Sequence, residues 1–505
     1  MHMIRGVCVA LVLSGIVARS GAVELESLRA RYYPGAQLMG DIESSISGMF
    51  WDDIRGKSYP HPRFWPDTAR EGTDYWHLAP GVRLLTPLSR ADSSWSYRGR
   101  IHSDIRFGQL LVRNSASINP DLRDDPNYPY NRKRGSAGYW EEAYFQLDNP
   151  LGFVRLGRLK RNWGPFVDRS LIVSSNPLSY DALEWKIAGP FFEFRHLFGS
   201  FARKTTAWDV HSTPEPPDSR ANPNRQRWLG AHALNFMLGK WGSVGILEGY
   251  LMTTAHGLPE LQALNPFGSY TLMSTNAEMQ GNAMLGFQWH LHPFTPQVSL
   301  LGQIVIDDLQ VDNESQGDQE PNHWGADVGV HWRQPVGSFP LRHALALEYT
   351  YVSRWMYLVS WNNTWQGERW TYLRSGLGMD DNDFDRWHLR GTVAGNDWWE
   401  GTIAFSYGRK GVNSVTSPWN TPRGDNDYRR ETILRSDSAT HILEQSLCAS
   451  VYLAPYGYLD LGVTNAWTRR GIAESDGWEY GVRLYAGLSL WYPNLFIPFP
   501  GRGRE

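Results

Sequence analysis

The sequence predicts an all-β protein, a transmembrane antiparallel β-barrel of about 18 strands with a bent plug or mouth segment. Three observations carry this. Apolar and polar residues alternate in segment after segment. The connections between those segments alternate between short turns and long polar loops. Beyond residue 22, no uninterrupted apolar run is long enough for a helical span.

Residues 1–22 read as a secretory signal peptide. Arg5 supplies the positive charge, residues 6–18 form a short apolar stretch, and Ser20-Gly21-Ala22 places cleavage after Ala22. Residues 23–505 then form a single barrel domain, because no linker, charge block or shift in composition divides them. The location implied is the bacterial outer membrane, after export through the inner one. Only Cys448 remains once the signal is removed, so no internal disulfide holds the chain. The sequence holds 24 Trp, 24 Tyr and 20 Phe, a load that suits either a carbohydrate-binding β protein or the interfacial girdles of a barrel. A net charge of −3 carries no basic footprint for nucleic acid.

Periodicity separates these readings. Val482, Leu484, Ala486, Leu488 and Leu490 alternate with Gly481, Arg483, Tyr485, Gly487 and Ser489. The same pattern recurs around Leu443–Leu453, Val298–Ile306, Ala326–Trp332 and Leu345–Tyr351, each about the length a tilted strand needs to cross a bilayer. Short turns fall at Asn149-Pro150-Leu151-Gly152, 292–296, 395–397 and 454–457. Long polar stretches fall at 119–138, 208–227, 308–322, 362–385 and 411–431. Outer-membrane barrels sort loop length by side in this way; soluble sandwiches have no reason to. Tyr485-x-Gly487-x-x-Leu490-x-Tyr492 resembles the terminal signal read by the barrel-assembly machinery, with a tail from 493 to 505 after it.

If the apolar face meets lipid, the other face lines the bore. It would carry Arg100, His102, Asp104, Arg106, Arg155, Glu193, Arg195, Asp307, Asp327, His331, Glu348, Glu444, Asp460 and Arg483. Charges of both signs are interleaved, which fits a cross-linked or plugged bore better than a pore of one selectivity. Residues 161–177 break the alternation. Gly164-Pro165 forces a bend there, so the segment reads as a loop folding over or into the mouth. Arg158, Arg161, Trp163, Asp168, Arg195 and Asp307 are the candidate mouth and bore residues.

The same stretch, Gly157-Arg158-x-x-Arg161-x-Trp163-Gly164-Pro165-x-x-Asp168-x-Ser170-Leu171-Ile172-x-Ser174-x-Asn176, resembles the capsule assembly Wzi family of outer-membrane β-barrels. Asn162 stands where the family has a second Trp, and Val167 where it has a glycine. Fainter similarities follow in order at Asn265-Pro266-Phe267, Gly281-Asn282, Gln303 with Asp307-Asp308, and Gly376-Leu377-Gly378. The resemblance implies an 18-stranded barrel that binds exported or capsular polysaccharide, helps hold it at the cell surface, and is not an enzyme.

No nucleophile elbow, Cys/His pair or phosphate-cradling loop is present. His290-x-His292 lacks a third ligand, so no metal is expected. Asp380, Asp381, Asp383 and Asp385 lack calcium-loop spacing and read as a solvated outer loop. Asp307 and Asp308 point to opposite faces of a strand, so they are no acid/base pair. No cofactor is implied.

For glycan binding the chemistry is direct: aromatic faces stack on sugar rings and guanidinium groups pair with acidic sugars. Tyr130 and Arg132, then Trp361, Trp365, Arg369 and Trp370, then Trp419 and Arg429 bring both types to candidate outer loops. Arginines there could equally meet lipopolysaccharide phosphates. The alternative function is a channel or transporter for oligosaccharides or small solutes. The signal reading is checked directly: N-terminal sequencing of protein recovered from the outer membrane should begin at Val23.

Overall fold

The structure is a computed structural model that describes residues 75–87, 96–118, 137–166, 169–201, 226–254, 258–276, 281–309, 322–334, 341–359, 368–373, 375–395, 399–415, 417, 439–453, 457–469, 478–491 and 495–498. The wall of the barrel is built from β1 (Tyr75–Pro87), β2 (Ser96–Phe107), β3 (Leu110–Ile118), β4 (Gly138–Asn149), β5 (Gly152–Leu159) and β6 (Tyr180–Ala188). It continues with β7 (Phe192–Phe201), β8 (Gln226–Met237), β9 (Gly242–Thr254), β10 (Gly281–Leu291), β11 (Val298–Asp308) and β12 (His323–Arg333). The last six strands are β13 (Leu341–Val352), β14 (Phe384–Gly395), β15 (Trp399–Lys410), β16 (Thr440–Leu453), β17 (Gly457–Arg469) and β18 (Glu479–Trp491).

Each strand pairs antiparallel with the next, and β1 pairs with β18 from Gly81 opposite Trp491 to Pro87 opposite Tyr485. The sheet therefore has no free edge, which a membrane requires because lipid cannot satisfy unpaired backbone groups. The final strand does not stop at Tyr492, as the terminal signal suggests. Leu495–Pro498 resumes the ladder against Leu78–Tyr75, so part of the expected tail is wall.

The connections β2–β3, β4–β5, and so on to β16–β17 run from two to seven residues, whereas those leaving odd-numbered strands run from eight to thirty-one. The parity read from the sequence is therefore the parity of the fold. In the tightest turn, Gly108 adopts φ +57°, the left-handed region that a two-residue hairpin demands and glycine supplies.

Side chains alternate as the strands do. Ile101, Ile105 and Phe107 of β2, Val154 and Leu156 of β5, Leu345 and Leu347 of β13, and Val482 and Leu484 of β18 are exposed on the outside. On the opposite face His102, Asp104, Arg155, Glu184, Asp327 and Glu348 are buried in the bore. Ile304 lies midway along β11 on the lipid side. We expect Ile304→Lys to destabilise the barrel by about 2–4 kcal/mol, measured by reversible urea unfolding in phosphatidylcholine vesicles; a neutral result would place that face in water.

Candidate functional site

Two of the long outer connections turn inward and pack into the β6–β13 side of the bore. The first, residues 160–179, leaves the top of β5. Arg161 holds its neck: its guanidinium donates to Glu184 Oε2 at 3.1 Å and to the carbonyls of Leu159 and Tyr180 at 3.0 and 3.1 Å. Gly164-Pro165 then bends the chain back, and the Trp163 amide donates to the Val173 carbonyl at 2.8 Å. A Cβ at Gly164 would sit 2.8 Å from the Arg169 carbonyl oxygen, so the bend needs glycine. The Trp163 indole donates to Glu184 Oε1 at 3.3 Å, while Phe166, Leu171, Ile172 and Val173 are wholly buried.

The second is the β13–β14 connection, whose described residues 353–359, 368–373 and 375–383 fold against the first. Within it Thr371–Tyr372 pairs with Ser375–Gly376 in a short ladder. The Ser174 amide donates to Leu377 O at 2.7 Å, and the Trp370 indole to Ile172 O at 2.8 Å. The Tyr357 hydroxyl donates to Leu171 O at 2.9 Å, and burial pushes this phenol well above its ordinary pKa, which keeps it a donor. Gly378 lies so close that a Cβ would meet the Leu171 carbonyl oxygen at 2.3 Å. A piece of the β15–β16 connection completes the fill: Val415 enters the same apolar cluster, and Arg369 Nη2 donates to Ser417 O at 2.7 Å.

The cluster takes wall residues from β6 to β13, among them Ala182, Leu197, Ala231, Leu247, Met284 and Val305. Small wall residues make room for large plug residues. A Cβ on Gly249 would stand 2.7 Å from both Ile172 and Trp370, and one on Gly329 2.9 Å from Phe166.

Charge fixes the plug against the wall. Arg169 Nε and Nη2 reach the two carboxylate oxygens of Asp327 at 2.5 and 3.0 Å, and Nη2 also reaches Glu348 Oε2 at 2.9 Å. The Thr350 hydroxyl also donates to Asp327 Oδ1 at 3.0 Å, and His331 bonds the other Glu348 oxygen, Oε1, at 2.7 Å. All three charged groups are buried, so the network depends on every member being present. Beside it, Gln303 accepts from the Leu171 amide at 2.5 Å and Asp307 accepts from the Tyr357 amide at 2.7 Å. Among the described residues, the three non-glycine positions with positive φ, Tyr357 (74°), Leu373 (53°) and Asp383 (54°), all lie in the second plug segment. That strain persists because packing on all sides holds it.

Several sequence-based placements change. Arg369 and Trp370 are not outer-loop ligands for sugar: both are buried in the plug, and the Trp370 rings are closed off entirely. Arg369 is so enclosed that burial lowers its guanidinium pKa to about 10. The reason is that the part of this connection around residues 368–373 runs inward, which a polar composition does not announce. Arg158 is not in the mouth or bore. It shares a strand face with Leu156 and forms a two-pronged pair with Asp181, at 3.0 and 2.7 Å, on the outer face near the rim.

The acidic stretch is not a free solvated loop either. Asp383 is buried and accepts from the Asn413 amide at 3.1 Å, and Asp385 pairs with Arg409 at 2.6 Å. Arg161 and Trp163 lie in the plug, Asp307 faces the bore, and Arg195 lines the bore beside Glu193 at 3.0 Å. His292 bonds Ser299 Oγ at 3.2 Å. Asp168, Tyr130, Arg132, Trp361, Trp365, Trp419 and Arg429 lie outside the described residues. The sequence reading did not single out Tyr357, Arg169 or Arg227, whose guanidinium donates to the carbonyls of Arg369 and Thr371 at 2.8 and 2.7 Å. Only the run Gly376-Leu377-Gly378 hinted at this second layer.

Comparison with solved structures agrees with the fold that the sequence resemblance implies. The chain is similar to Wzi of Escherichia coli, described as an outer membrane protein involved in group 1 capsule assembly and a carbohydrate-binding β-barrel, at a TM-score of 0.53 and 12% identity over 96% of this chain and 99% of that one. Two further barrels match more distantly. One is opdK of Pseudomonas aeruginosa, with a TM-score of 0.44, 9% identity and 84% and 99% of the two chains covered. The other is OccAB1 of Acinetobacter baumannii, at 0.45, 11%, 85% and 98%. No family model matches the sequence, and no curated relative does.

The plug network makes a sharp prediction. Arg169→Ala should cost about 3–5 kcal/mol, because two buried carboxylates are left facing each other. The triple change Arg169→Met with Asp327→Asn and Glu348→Gln should recover most of it in equilibrium unfolding; equal losses in both variants would mean that charge is not what the site needs.

Proposed function

We propose that this chain is a non-enzymatic outer-membrane barrel that binds exported or capsular polysaccharide through its outer loops and helps retain it at the cell surface. The observation that carries the reading is the filled bore. Two outer connections are committed to an apolar, hydrogen-bonded plug that occupies the β6–β13 side of the lumen. A solute taking that route would have to displace buried Trp370, Leu171 and Ile172 together with the Arg169 ion pairs. The outer connections also carry the sugar-binding residue types: Tyr130 with Arg132 between β3 and β4, Trp361 with Trp365 between β13 and β14, and Trp419 with Arg429 between β15 and β16. The carbohydrate-binding description of the Escherichia coli barrel supports the same ligand class.

Lipopolysaccharide of the surrounding leaflet is the second partner, met by arginines at the rim, and the barrel-assembly machinery handles the chain during biogenesis. Nothing in the reading calls for a metal, a cofactor or nucleic acid.

The test is binding of the host's own surface polysaccharide by detergent-folded protein, with Trp365→Ala and Arg429→Ala alongside. Saturable binding that either change weakens by tenfold or more, about 1.4 kcal/mol, supports the reading. Absent binding combined with steady ion conductance in planar bilayers would replace it with the channel.

A further inference from the structure

The outer wall carries a feature that a plain lipid-facing barrel does not need. Three adjacent strands place a polar ladder on the outside: His196 of β7 stands opposite His232 of β8, which stands opposite Glu248 of β9. Their parity is that of exposed Ile246 and Phe236, not that of the plug-facing Leu197, Ala233 and Leu247. Residues 258–276 of the β9–β10 connection fold down over this ladder. Tyr270 stacks on His232 at 4.8 Å and on Tyr250 at 5.7 Å, and Phe267 stacks on Phe194 at 5.3 Å. Glu248 seats the segment, accepting from Ser269 Oγ at 2.8 Å and from the Tyr270 amide at 3.0 Å.

Phe194 is the third residue of β7 after its short turn, about 5 Å up the wall once strand rise and tilt are allowed for. The segment therefore descends through most of the height of the wall. We infer that residues 258–276 form a strap embedded in the bilayer, with its outer surface covered by the acyl chains of the surrounding lipid.

Three properties fit that solvent. The exposed surface of the strap is apolar: Leu258, Leu261, Phe267 and Leu272 are 64–81% exposed. Glu260, at the start of the strap, is its only charged residue. Hydrocarbon demands that backbone donors be met from within, and the strap meets many of its own locally. The amides of Ala263, Asn265 and Gly268 donate to Glu260, Gln262 and Asn265 carbonyls, that of Phe267 to the Asn265 side chain, and those of Met273 and Asn276 to Ser269 and Leu272. The apolar outer face also runs on into the lipid-facing wall at Ile246, Leu285 and Phe287. The strap shields the His196–His232–Glu248 ladder from lipid.

A nitroxide at Phe267→Cys, in full-length protein carrying Cys448→Ser and reconstituted in phosphatidylcholine vesicles, tests the inference by power-saturation electron spin resonance. Ile246→Cys serves as the lipid reference and Gln109→Cys, in the β2–β3 turn, as the aqueous one. The oxygen-to-nickel collision ratio at position 267 should equal that at 246 and exceed that at 109. A ratio matching position 109 overturns the inference by placing the strap in water. Low collision with both reagents overturns it by placing protein, such as a second copy, against the strap. Adding Glu248→Gln should raise nitroxide mobility at 267 and not at 246, in protein whose heat-modifiable gel migration shows it folded; unchanged mobility would remove Glu248 as the seat.

Discussion

Hydrocarbon cannot hydrogen-bond to a peptide group, and the rest of this structure follows from that constraint. It requires the sheet to close, which the pairing of β1 with β18 achieves, and it makes two-residue alternation the only way to present apolar side chains outward. Closing eighteen strands produces a bore wider than wall side chains can fill. Inward-folded loops are the material that fills it. The plug and the lipid-facing wall are thus two consequences of the same requirement.

The filling is lopsided, and the wall shows why. From β6 to β13 the inner face offers Ala182, Ala231, Ala233, Gly249, Gly325 and Gly329, a shallow surface that admits Trp163, Phe166, Ile172 and Trp370. Around β2 to β5 the inner face instead carries His102, Asp104, Arg113, Glu142 and Arg155, which satisfy one another or their neighbours. Apolar packing supplies most of the adhesion of the plug, yet it is nearly blind to register. The Arg169 pairs to Asp327 and Glu348 supply the position, since any displacement of the plug along the wall would leave two buried carboxylates without their guanidinium partner.

The external strap obeys the same rule from the other side. Its backbone is irregular, and irregular backbone at membrane depth persists only where its polar groups find partners. Glu248 provides two of them from the wall. A carboxylate on the lipid side of a strand, costly in isolation, becomes the anchor for the element that covers it.

The alternation of β11 to β13 and β18, the sorting of loop lengths and the bend at Gly164-Pro165 were all legible in the amino-acid sequence, because each is a local property with a period or a steric rule behind it. A break in the same alternation marked residues 161–177 as a loop over or into the mouth; that it enters the bore was decided by its packing against the wall. Arg369 and Trp370 show the limit. Aromatic and guanidinium groups in a polar loop suit a sugar site and a buried plug equally well. Only the approach of 353–383 to 160–179, through Tyr357, Trp370 and Gly378, decided between them. Arg158 and Glu248 make the same point. Which face of a strand a charge occupies is set by parity along the chain, but whether it meets lipid, a partner such as Asp181 or a covering strap depends on contacts between residues distant in sequence. Strand period and loop parity determined the barrel; what its loops cover was settled only by tertiary packing, because burial is a property of the surroundings and not of the residue.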